Sequence, residues 1–94
     1  MIGSGGDLIR KTVSVKNRKG LHMRPAEQLV RTASRFKSEV TLVKDDIPVN
    51  GKSILGVMML AAEHGSSITV EIDGPDESDA LKAITDMFDQ DQEA

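Results

Sequence analysis

An α+β fold, with one sheet and its helices packed on a single face, is what the sequence predicts, and three observations lead there. Residues 9–15 put apolar side chains on one strand face, 39–44 and 47–49 read as a strand hairpin, and 67–73 alternate cleanly with period two. The stretches between and after these runs carry helical spacing, giving the order β-α-β-β-α-β-α with no internal repeat. Ninety-four residues are enough for one small domain around one core. Pattern alone leaves the strand order open, because a ferredoxin-like arrangement has the same first six elements.

The elements follow in order. Residues 1–7 read as a flexible tail without the basic and apolar regions of a secretory signal. The domain is expected over 8–89. In the first strand Ile9, Val13 and Val15 share one face, and Lys11 interrupts it, as suits an edge strand. Residues 17–20 form a loop. From Pro25 onward Ala26, Leu29, Val30 and Ala33 follow helical spacing, with Glu27, Gln28, Arg31 and Arg35 facing water; the helix should end near Phe36. Residues 39–44 are a strand, Asp45-Asp46 a turn, and 47–49 a short return strand whose Pro48 suits an edge. A second helix follows Ser53 and is expected to reach His64-Gly65, with Gly65 as its C-terminal cap. Residues 67–73 alternate throughout. Gly74-Pro75-Asp76 then turns into a last helix that buries Leu81, Ile84 and Phe88, with Asp76, Glu77 and Asp79 at its positive end. Residues 90–94 form an acidic tail expected to fray.

Composition narrows the function. The absence of cysteine excludes a disulfide framework and thiolate chemistry, and fits a cytoplasmic protein. No apolar run approaches the roughly 20 residues that span a bilayer. The net charge of −3 hides an asymmetry: residues 1–52 hold eleven Lys/Arg and five Asp/Glu, a balance of +6, while 53–94 hold one Lys and ten acids, a balance of −9. Arg18, Lys19, Arg24, Arg31, Arg35 and Lys52 lie in the basic part. Such a field favours anionic ligands and acidic protein surfaces.

The chemistry concentrates at Gly20-Leu21-His22-Met23-Arg24-Pro25-Ala26. An isolated histidine is usually a surface or capping residue, and that reading is weighed first. Three features point past it. Proline is favoured in the first turn of a helix, where its missing N–H would have had no partner. His22 therefore stands beside a helix start, whose orphan amides and dipole favour anions. Arg24 adds a fork of donors suited to phosphate oxygens, and Gly20 lets the backbone approach closely. A free imidazole, with a reference pKa of about 6.5, is largely neutral and nucleophilic near pH 7. The pattern points to a histidine that carries a phosphoryl group by covalent relay.

These residues resemble the active-site motif of the HPr family, the histidine-containing phosphocarriers of the bacterial phosphoenolpyruvate-dependent phosphotransferase system. A second block, Val49-Asn50-Gly51-Lys52-Ser53-Ile54-Leu55-Gly56-Val57-Met58, resembles the family's regulatory-serine segment. The likeness runs from about Ile9 to Phe88. It implies an open-faced sandwich: a four-stranded antiparallel sheet in the order 1-4-2-3 covered on one face by three helices. It implies further that His22 takes phosphate on Nδ1 from phospho-enzyme I and passes it to a IIA-type domain, with Arg24 holding the phosphate. Such a protein is a carrier with a phosphohistidine intermediate rather than a self-contained enzyme, and needs no cofactor. Met23 stands where a small residue is usual and places an apolar group at the partner-binding face. Lys19, where a small polar residue is common, adds charge.

Ser53 suits the N-cap of the second helix. The resemblance adds phosphorylation there by an HPr kinase, which would place about −1.5 to −2 charges near the enzyme I face. Residues 54–62 are apolar all round, so part of this helix is expected to stay exposed as a docking patch. The family resemblance implies that Ile54, Leu55 and Met58 form it, with Val57, Leu60 and Ala61 inward. His64 is expected at the C-terminus of that helix, and with His22 it lacks the spacing of a metal site. RNA binding on the sheet would need aromatic platforms, and the chain has no Trp or Tyr. A carrier that docks on successive partners is best served as a monomer. A regulatory paralogue acting by phosphorylation-dependent binding to other targets would carry the same motif.

Overall fold

The structure, a computed structural model, describes residues 8–90; the readings of residues 1–7 and 91–94 fall outside them. Seven elements appear in the expected order: β1 (Ile9–Ser14), α1 (Met23–Ser34), β2 (Glu39–Lys44), β3 (Ile47–Asn50), α2 (Ile54–Met59), β4 (Ser67–Asp73) and α3 (Glu77–Gln90). Gln90, expected in the tail, closes α3.

The four strands form one sheet in the order β1-β4-β2-β3, with every neighbouring pair antiparallel. This is the α+β open-faced sandwich implied by the family resemblance. β4 sits centrally because its strict alternation offers Ile68, Val70 and Ile72 to the core while both backbone edges are paired. β1 and β3 are the edges, which accommodates Lys11 in one and Pro48 in the other. Asp45 and Asp46 join β2 to β3 in a two-residue turn, both at positive φ (53° and 66°), the geometry that matches strand twist.

The inner face packs Leu42, Ile68, Val70 and Ile72 against Leu29 of α1, Val57 of α2 and Ile84 of α3, all fully shielded from water. Each such side chain contributes roughly 1.5–3 kcal/mol through burial. In α3 Phe88 is buried as expected and Leu81 is half-buried against the core, while Ala80 and Thr85 complete the inward stripe. Thr85 satisfies its hydroxyl on the Leu81 carbonyl at 2.8 Å.

α2 departs from expectation. It stops at Met59, with Leu60 as C-cap and Ala61 at φ +49° ending the turn. Ala61 is exposed rather than inward, and Ala62 takes the buried place. His64 and Gly65 are therefore not the end of a helix. They form the turn before β4, where the Gly65 amide donates to the Val15 carbonyl at 2.8 Å. The physical reason is tertiary: residues 60–65 are used to hold the loop before α1.

Candidate functional site

The His22 segment is positioned by that loop. Gly20 has φ +76°, and a Cβ there would lie 2.5 Å from the Ala62 carbonyl oxygen, so only glycine fits. The next amide, of Leu21, donates to the same oxygen at 2.8 Å. On the other side, the Asn17 carbonyl accepts from the Gly20 amide and its Oδ1 accepts from the Lys19 amide, both at 2.9 Å. Leu21 is buried and anchors the segment in the core. The chain thus reaches His22 with its backbone fixed on both sides.

His22 is the N-cap of α1, in extended conformation (φ −88°, ψ −167°), and its side chain makes no capping hydrogen bond. α1 starts at Met23, so Pro25 is the third helical residue rather than the first. The consequence is favourable for an anion site. The first intrahelical bond runs from the Ala26 amide to the His22 carbonyl at 3.0 Å, which leaves the Met23 and Arg24 amides in the turn ahead of it. No acid lies in the first turn. His22 is half-buried, and Met23 and Arg24 are exposed. A half-buried imidazole, an exposed guanidinium two residues on and a positive helix end therefore all lie at the start of α1. Among the described residues Arg18, Lys19, Arg24, Arg31 and Arg35 make no ion pair, so their charge remains available to an external anion. Lys52 is the exception in the basic group: its Nζ donates to the Phe36 carbonyl at 2.8 Å, tying the end of α1 to the start of α2.

Ser53 is the N-cap of α2, as expected, and its hydroxyl accepts from the Gly56 amide at 3.0 Å. Of the apolar patch, Ile54 is 40% and Leu55 72% exposed, whereas Met58 is half-buried against the core. Met59, which the sequence reading did not single out, is 72% exposed. Its signal was present: it lies one turn beyond Leu55, on the same helix face. His64 lies exposed in its turn.

This combination defines a class, a small carrier with an accessible histidine at a helix N-terminus. The comparisons agree. Residues 9–90 match the family model described as the PTS HPr component phosphorylation site, and the chain belongs to the HPr family. It is 52% identical over 81 residues to the phosphocarrier protein HPr of Treponema pallidum, covering 86% of this chain and 92% of that one. It is 47% identical over 81 residues to HPr of Neisseria meningitidis, covering 86% and 91%. The solved HPr of Thermoanaerobacter tengcongensis superposes with a TM-score of 0.86 at 39% identity, covering 89% of this chain and 94% of that one. A second structure from that organism, at TM-score 0.74, is an HPr dimer, and Crh of Bacillus subtilis, at 0.72, is a swapped dimer. The chain is a phosphocarrier of the phosphotransferase system, and its partners are phosphotransferase proteins.

Proposed function

We propose that His22 is the phosphoacceptor, receiving the group from phospho-enzyme I and passing it to IIA-type domains for sugar uptake. One observation carries this reading: the His22 ring stands at the open start of α1 with no capping bond to compete for it. Its Nδ1 lone pair attacks phosphorus, the new P–N bond forms, and the bond to the donor breaks with its electron pair returning to the donor. Arg24 and the first-turn amides hold the phosphoryl oxygens in flight. In the second transfer His22 is the leaving group. The protein acts in the cytoplasm as a monomer, since the His22 face must be presented to each partner in turn. Ile54, Leu55 and Met58 join Met23 in the docking face, extended by Met59.

Phosphorylation of Ser53 by an HPr kinase is the regulatory part of this reading. It would replace the neutral cap of α2 by a dianion beside the docking patch and weaken enzyme I binding. Ser53→Asp should bind enzyme I more weakly by calorimetry; unchanged affinity would remove this element. The relatedness to Crh supports a second reading, a regulatory paralogue acting mainly by phosphorylation-dependent binding. Intact-mass spectrometry after incubation with phosphoenolpyruvate and enzyme I, followed by a IIA domain, tests the main reading. One acid-labile phosphate on wild type and none on His22→Ala is expected, with the label lost to IIA. A phosphate retained on His22→Ala would place the acceptor elsewhere.

A further inference from the structure

Four methionines fall among the described residues, and they divide sharply. Met58 and Met87 are half-buried against the core, and the Met87 sulfur accepts from the Thr32 hydroxyl at 3.8 Å. Met23 and Met59 are 53% and 72% exposed. Met23 is the first residue of α1, directly after His22, and Met59 ends α2 one turn beyond exposed Leu55. The two accessible thioethers thus lie on the surfaces assigned above to partner docking; of the two sheltered ones, only Met58 adjoins that face, and its side chain is packed against the core.

We propose that Met23 and Met59 form a reversible oxidation site through which peroxides lower the carrier's affinity for its phosphotransferase partners. The sulfur lone pair attacks one peroxide oxygen, an S–O bond forms and the O–O bond breaks. The departing hydroxide takes the proton from the new S–OH and leaves as water. Sulfur loses two electrons and the peroxide gains them, giving methionine sulfoxide, which the two epimer-specific reductases return to the thioether. Methionine is favoured on docking surfaces because it is apolar and adaptable. A sulfoxide in its place carries a strong acceptor into the interface, where it has no partner. One such unpaired oxygen corresponds to about a tenfold loss of affinity. His22 keeps its ring, so the chemical step is preserved while docking weakens.

This inference rests on the docking face proposed above, and the experiment separates the two. The full chain is treated with graded hydrogen peroxide, sulfoxides are located by peptide mass mapping, and phosphoryl acceptance from phospho-enzyme I is measured across carrier concentration. Met23 and Met59 should gain oxygen before Met58 and Met87. KM for the carrier should rise about tenfold with kcat held, for the reason just given. Methionine sulfoxide reductases should restore it. The Met23→Leu, Met59→Leu double variant should keep whatever KM it has when treated in the same way. Oxidation of Met58 or Met87 first, an unchanged KM once both exposed sulfoxides have formed, or equal peroxide sensitivity in the double variant would each overturn the proposal alone. An untreated chain that accepts no phosphoryl group would overturn the docking reading and this proposal with it.

Discussion

The starts of α1 and α3 are built in opposite ways. At α3 the end is filled by the chain's own carboxylates: Glu77 accepts from the Gly74 amide at 3.1 Å, and Glu77 and Asp79 lie in the first turn. Asp76 reaches across to accept from the Ser38 hydroxyl and from the amides of Lys37 and Ser38, both at 2.9 Å. It thereby locks the loop after α1 to the turn after β4. α2 is closed by Ser53. At α1 the side chain of the N-cap His22 accepts nothing from the helix amides, and no acid answers the dipole. Where a helix start serves only the fold, the fold satisfies it. The one left open is the one beside the imidazole, where the proposed phosphoryl group would meet it.

The comparison can be broken at several points. The largest effect is expected from His22→Ala: loss of all phosphoryl acceptance with thermal unfolding unchanged, because the side chain makes no capping hydrogen bond to α1. A large drop in melting temperature would show that the ring holds the fold. Arg24→Glu replaces a donor fork by repulsion and should slow transfer about tenfold to a hundredfold, the range for a charged hydrogen bond, in single-turnover kinetics. Gly20→Ala forces a side chain into left-handed backbone and against the Ala62 carbonyl. It should cost about 1–3 kcal/mol by denaturant unfolding and slow transfer by displacing His22. Ser53→Ala removes a cap that is in use and should cost about 1 kcal/mol, with the α1 end unaffected.

The smallest effect is a pH signature. The Ser38 hydroxyl, then the Lys37 amide, lower the Asp76 carboxyl from 3.8 to about 2. A carboxylate depressed in the folded state contributes stability that is complete above its unfolded pKa and is lost as pH falls through its folded one. Wild type should therefore exceed Asp76→Asn in melting temperature above pH 4, with the gap closing toward pH 2. A gap constant across that window would mean the charge of Asp76 is not what holds the loop.

Most of this contrast was legible beforehand, and the gaps have physical causes. Alternation placed β4 to the residue, because a central strand with one face buried shows its period most clearly. The β2–β3 hairpin and the buried stripe of α3 were equally readable. Strand order was not, since local pattern carries no information about which edges meet; it came from the family resemblance. The length of α2 was misread because residues 54–62 are apolar all round, so no period marks where the helix yields to a loop. What ends it is the Leu21 amide's bond to the Ala62 carbonyl, against which Gly20 packs closely, a contact distant in sequence. Pro25 signalled the first turn of α1 but not which residue of it, because none of the first positions needs an intrahelical donor. Asp76 was read as a dipole partner; its clamp on Lys37 and Ser38 bridges some forty residues and has no local trace.

The central claim is that the α1 start is kept open for a phosphoryl group on His22. Its most direct test is the amide spectrum of the full chain before and after phosphorylation by enzyme I and phosphoenolpyruvate. The account predicts that the Met23 and Arg24 amides move strongly downfield as they meet the phosphoryl oxygens, while the Gly56 and Gly74 amides, already bonded to Ser53 and Glu77, stay in place. A phosphorylated chain whose Met23 and Arg24 amides do not move would contradict it.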